Sequence, residues 1–210
     1  LPPTYPVSIA APGIDPNTTG IGKCRGSVTF QEEAYEVSGD SLIKISSTGA
    51  ITNLGIITGS AECEFAQSFI ALIIVVKGGA GFVLNTSDVL IEITDPDFKP
   101  SIEVEAIDAR FVFVPSDGGP LFFTDVNDPD DIPALNFFDA ELLPDKNTGL
   151  INIRNDLFVM GVESTEVFRT TADPDNAFIR RPGAAIETGY VGGKARYKDT
   201  FLFLGRDREG

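Results

Sequence analysis

Phe69-Ile70-Ala71-Leu72-Ile73-Ile74-Val75-Val76 is eight apolar residues without a polar interruption. The run is too short for a bilayer, which takes roughly 20 apolar residues in a helix. It is also rich in β-branched side chains, so it reads as a central strand covered on both faces. Shorter runs of the same kind are Arg110 to Val114, Leu157 to Val162 and Thr200 to Leu204. These read as core strands or an interface.

Around these runs, apolar and polar residues alternate with period two. Ala61-Glu62-Cys63-Glu64-Phe65, Val89-Leu90-Ile91-Glu92-Ile93 and Ser101-Ile102-Glu103-Val104-Glu105-Ala106 each carry one apolar and one more polar face. Turn chemistry separates them at Gly78-Gly79, Asn85-Thr86-Ser87, Asp117-Gly118-Gly119-Pro120, Asn147-Thr148-Gly149, Pro182-Gly183 and Gly192-Gly193. One helical stretch is expected, at Leu135 to Leu143, and no internal repeat stands out. The fold class expected is all-β: a β-sandwich or jelly roll of many short antiparallel strands with at most one short helix. Residues 1–20 read as an N-terminal extension and 21–210 as a single large β domain, with a sub-boundary near 115–134.

Composition narrows the function. The chain has 16 basic against 31 acidic residues, a net charge of −15, which disfavours nucleic acid and anionic lipid as partners. No apolar run is long enough to span a membrane as a helix. Histidine is absent, which removes the usual general base, the Ser and Cys triads and a zinc site built on histidine. Carboxylate pairs can hydrolyse glycosides, but with 31 acidic residues such a pair carries no information, and there is no Trp to stack on a sugar. The chain is therefore not expected to be an enzyme.

Cys24 and Cys63 share strand parity with Val28, Phe30 and Ala61, Phe65, so both thiols are expected to face inward. A disulfide between them, the alternative being two buried free thiols, would close a loop of about 40 residues and add roughly 2–4 kcal/mol. It would also imply an oxidising compartment. The opening Leu-Pro-Pro reads as a processed ectodomain, and Asn17 and Asn85 sit in glycosylation sequons. Tyr5, Val7, Ile9 and Ala11 share one face of an extended segment led by Pro2 and Pro3, which reads as an edge strand or a strand inserted into a neighbouring copy.

Asp-Pro-Asp recurs at Asp95-Pro96-Asp97, at Asp128-Pro129-Asp130 followed by Asp131, and at Asp173-Pro174-Asp175. Proline fixes the backbone between the carboxylates, and Ca2+ takes six to eight oxygens. Asp95, Asp97, Asp125, Asp128, Asp130, Asp131, Asp173 and Asp175 are the candidate metal ligands, the alternative being acidic turns that merely cap strands. Asp125-Val126-Asn127-Asp128 resembles the calcium linker of the cadherin family, and Glu103-Val104-Glu105-Ala106-Ile107-Asp108 is similar to its Val-x-Ala-x-Asp strand. That resemblance implies calcium-binding β-sandwich chemistry.

Charge is also segregated. Ser116 to Lys146 holds eight acidic residues and one Lys, whereas Arg180 to Gly210 holds seven basic and four acidic ones. The function expected is a secreted structural subunit at the extracellular or cell surface. It would associate with copies of itself into a filament or surface layer by β-strand exchange, with Ca2+ as a candidate stabiliser. The alternative is a calcium-dependent adhesion or carbohydrate-binding module with a glycan ligand.

Overall fold

The computed structural model describes residues 22–140, 145–173 and 176–206. Among them are eighteen β-strands and no α-helix. The first sheet is β1 (Cys24–Phe30), β2 (Glu33–Ser38), β3 (Ser41–Ile45) and β4 (Ile51–Ile56), hydrogen-bonded in chain order. β5 (Cys63–Gln67), β6 (Ala71–Val76), β7 (Gly81–Asn85) and β8 (Leu90–Glu92) repeat the arrangement. So do β9 (Ser101–Ile107), β10 (Arg110–Pro115), β11 (Leu121–Phe123) and β12 (Phe137–Phe138). The fourth sheet is β13 (Asn147–Ile153), β14 (Asp156–Gly161), β15 (Thr165–Thr170) and β16 (Phe178–Arg180). A two-stranded hairpin follows, β17 (Gly189–Tyr197) and β18 (Thr200–Arg206). All neighbouring pairs are antiparallel.

The unit recurs about every 40 residues, within the range of blade repeats. In three sheets and the final hairpin the first two strands are joined by a two-residue turn. Gln31-Glu32 and Asp108-Ala109 both hold positive φ at the two positions, the mirror-image turn that matches strand twist.

Each sheet packs its face on the next. Phe30, Tyr35 and Leu42 of the first meet Leu72, Ile74 and Phe82 of the second. Ile73, Val75 and Val83 on the other face of the second meet Val104, Phe111 and Phe113 of the third. Val112, Val114 and Phe123 then meet Leu150, Leu157 and Phe168 of the fourth. Ile151, Met160 and Phe158 meet Tyr190, Phe201 and Phe203 of the hairpin. The first strands also adjoin one another, β1 to β5, β5 to β9 and β9 to β13, so they are the inner strands and the fourth strands lie outside.

Four-stranded meanders stacked face to face in chain order around inner strands are the blades of a β-propeller. The expected sandwich or jelly roll is corrected accordingly, while the all-β, antiparallel class holds. The physical difference lies in the middle strands. A sandwich sheet wets one face, whereas an interior blade buries both, and β6 is buried at all six positions. Phe69, expected as part of that strand, is 77% exposed and precedes it. The expected helix at Leu135 to Leu143 is also corrected: Phe137 and Phe138 form the outer strand of the third blade, pairing with Phe122 and Leu121, and residues 141–144 lie outside the described residues. No helix among the described residues is long and apolar enough to cross a membrane.

Candidate functional site: inner strands and outer loops

Charged residues that alternation places on the inner strands meet near the line where the blades converge. Arg25 of β1 is buried, and its guanidinium donates to the carbonyls of Ala61 (2.7 Å), Ile57 (2.9 Å) and Gly39 (3.0 Å). It thus holds the crossover from the first blade to the second, satisfying backbone acceptors that would otherwise be stranded. Lys77 lies 2.9 Å from Glu64 and 3.6 Å from Glu62.

The third blade is tied to the hairpin past the strand between them. Lys194 of β17 donates to the Glu103 carboxylate on β9 and to the Leu150 carbonyl on β13, the latter at 2.7 Å. Two residues on, Arg196 lies 3.1 Å from Glu105, whose carboxylate also accepts from the Asn152 amide at 3.2 Å. Burial pushes the Glu103 carboxyl up to about 7, with Lys194 opposing and Glu64 reinforcing the shift. Each of these charges has a partner within the chain, so the inner strands are cemented by their charges. Sequence reading did not single out this set. The signal was present, because Glu103 and Glu105 fall on one strand face and Lys194 and Arg196 on another of opposite sign.

The outer loops hold the expected metal ligands. Asp95 accepts from the amides of Asp97 (2.8 Å) and Ile132 (3.2 Å), so the first Asp-Pro-Asp turn braces the loop carrying the second. In that loop Asp125 bridges Asp128, and the Asp125 amide donates to the Asp131 carbonyl at 3.0 Å. Burial and the neighbouring Asp130, Asp131 and Asp125 raise the Asp128 carboxyl. Asp173 lies elsewhere, in the outer loop of the fourth blade, where Asn176 donates to it at 3.2 Å. Asp175 lies outside the described residues. Among the described residues no three carboxylates or thiols converge as a metal-holding group.

The Asn85 side chain closes a turn, accepting from the amides of Ser87 (2.9 Å) and Val89 (3.0 Å). Tyr5, Val7, Ile9, Ala11 and Asn17 lie outside the described residues. The expected disulfide is corrected, since Cys24 and Cys63 are both free, the first exposed and the second buried. The reason is local: β1 carries a bulge between Cys24 and Gly26 that breaks the parity linking Cys24 to Val28 and Phe30.

Among solved structures, the chain is similar to PorZ, an essential bacterial surface component of the type-IX secretion system of Porphyromonas gingivalis. The identity there is 16% over 88% of this chain and 26% of that one, with a TM-score of 0.54. It is also similar to YCF48 bound to D1 peptide (11% identity, 89% of this chain, 62% of that one, TM-score 0.61). Human WBSCR16 is a third such structure (10% identity, 89% of this chain, 58% of that one, TM-score 0.58). At these identities the likeness concerns the fold alone, and the chain spans less than two thirds of the length of each. No curated protein sequence matches it.

Residues 7–210 match the family model described as Phage_stabilise: Bacteriophage P22 Gp10, beta-propeller. This overturns the expectation of a secreted filament or surface-layer subunit built by strand exchange, and equally the adhesion and carbohydrate-binding alternative. The extracellular or cell-surface location falls with them, because the family is one of phage virion components. The chain belongs to the bacteriophage P22 Gp10 family of phage-stabilising β-propeller proteins, a structural and non-enzymatic family.

Proposed function

We propose that this chain acts as a rigid propeller scaffold that stabilises the tail or neck of a phage particle by binding other virion proteins, further copies of itself among them. The observation that carries the reading is the family match over residues 7–210. The structure adds physical support. Blades buried on both faces resist deformation, and the inner charges pair with one another, leaving association to the outer loops and edges.

Particles of the phage that carries the gene, assembled with and without the protein, test this directly. The expected result is that purified particles contain the protein, that particles lacking it leak packaged DNA, and that adding the purified protein restores retention. Recovery of the protein only from the free fraction, with both kinds of particle equally stable, would overturn it.

A further inference from the structure

The loop between β11 and β12, residues 124–136, is the longest connection inside any of the four blades. Long ordered loops on a rigid scaffold are where recognition usually sits. This one is held in shape. Ile132 is buried, its amide donates to Asp95, the Asn127 amide donates to the Ala109 carbonyl at 2.8 Å, and the Asn136 amide donates to the Pro133 carbonyl at 2.8 Å. A partner would therefore meet a surface already ordered, with little entropy left to lose.

Two features of that surface lack a counterpart among the described residues. The first is apolar: Leu135 is 86% exposed, Phe137 52% and Val126 45%. Beside them opens a groove of about 260 Å³, lined by Pro120, Phe122, Ile132, Pro133 and Phe137, with Asp97 and Lys99 also on its wall. The second is electrostatic. Asp125, Asp128, Asp130 and Asp131 fall within seven residues, and no lysine or arginine pairs with any of them among the described residues. The inner-strand carboxylates Glu64, Glu103 and Glu105, by contrast, each have a cation.

We propose that loop 124–136 and its groove form a docking surface for a basic protein segment. Such a segment would seat a large apolar side chain against Phe122 and Phe137 and place lysines or arginines over Asp125, Asp128, Asp130 and Asp131. The apolar contact supplies affinity, and the carboxylates select for positive charge and speed the encounter. The inference rests on the reading of the chain as an association scaffold and names the surface that does the associating.

The test uses the whole chain and a fluorescent peptide alternating Arg with Leu, followed by anisotropy at 50 and 200 mM salt. Leu135→Ser together with Phe137→Ser, and separately Asp128→Asn with Asp130→Asn and Asp131→Asn, are each expected to weaken binding at least about tenfold. A control neutralising Glu32, Glu33 and Asp40 on the first blade keeps wild-type affinity. Circular dichroism melts establish that all variants fold. Equal weakening by the control would reduce the effect to net charge and overturn the proposal. Millimolar Ca2+ that displaces the peptide from wild type but fails to bind the triple-Asn variant would assign the carboxylates to a metal, and would overturn it as well. Failure here leaves the particle-retention experiment unaffected, so the two readings can fail separately.

Discussion

Lys194 and Glu103, 91 residues apart, form an ion pair that passes over the strand between them, with the Leu150 carbonyl of that strand accepting a second bond from the same ammonium. Glu103 is buried, so removing Lys194 takes away the cation bonded to its carboxylate and leaves Lys77 to offset the charge. Lys194→Met is expected to lower unfolding stability by about 2–3 kcal/mol at pH 8, read from urea midpoints. Adding Glu103→Gln to that variant should recover a large part of the loss, because neither charge then remains. Simple additivity of the two substitutions would show that the residues do not act as a pair.

The same carboxyl makes stability depend on pH. Burial first, with Glu64 adding and Lys194 opposing, lifts Glu103 from 4.5 to about 7 in the folded chain. The folded state therefore holds the proton more tightly than the unfolded one. The contribution is fully present below pH 4.5 and is lost as pH rises through 7. Relative to Glu103→Gln, which keeps Lys77, Glu64 and Lys194 in place, the wild type should fall by up to about 3 kcal/mol between pH 4.5 and 8. Denaturant titrations at four pH values suffice, and parallel curves for the two proteins would remove Glu103 as the source. The Lys194→Met penalty should likewise shrink at pH 5, where Glu103 is protonated with or without its partner.

Strand class was legible because alternation and turn residues are local signals. Phe69 to Val76 and Arg110 to Val114 read as buried strands, and the second strands of two interior blades, Ala71–Val76 and Arg110–Pro115, lie there. The same runs argue against a sandwich, because both their faces are apolar and each blade has a neighbour on either side. The repeat escaped notice because a blade conserves strand order and burial while its residues differ, as in ITNLGI against the three-residue LIE for two outer strands. Parity misled at Cys24, where one bulge inverts the facing of everything before it. The inner ion pairs were hidden for another reason, since pairing β9 with β17 needs the tertiary arrangement of three inner strands.

Gly26 of β1 lies close against β5. Its φ is +154°, and a Cβ there would lie 2.6 Å from the Phe65 ring and 2.9 Å from the Cys63 carbonyl oxygen. Gly26→Ala therefore combines backbone strain with a contact that only movement of β5 can relieve. The expected cost is about 2 kcal/mol or more, seen as a melting temperature several degrees lower. Gly49, which also has positive φ but nothing within 4 Å, serves as the comparison. If Gly26→Ala and Gly49→Ala melt alike, only backbone strain matters at Gly26.

The two thiols are expected to behave as unlike singles. Cys24 is exposed, whereas Cys63 packs among Phe30, Leu72 and Val76, and burial pushes its thiol up. A thiolate is the reactive species, so Cys63 is shielded both by access and by protonation. Titration with a thiol reagent should find one reactive group in the native protein and two in denaturant, with the same counts before and after reductant. A melting curve should not move when reductant is added, because no cross-link constrains the unfolded chain. Two groups appearing in denaturant only after reduction would mean that the thiols had paired, and the β1 bulge could not then point Cys24 away from its neighbour.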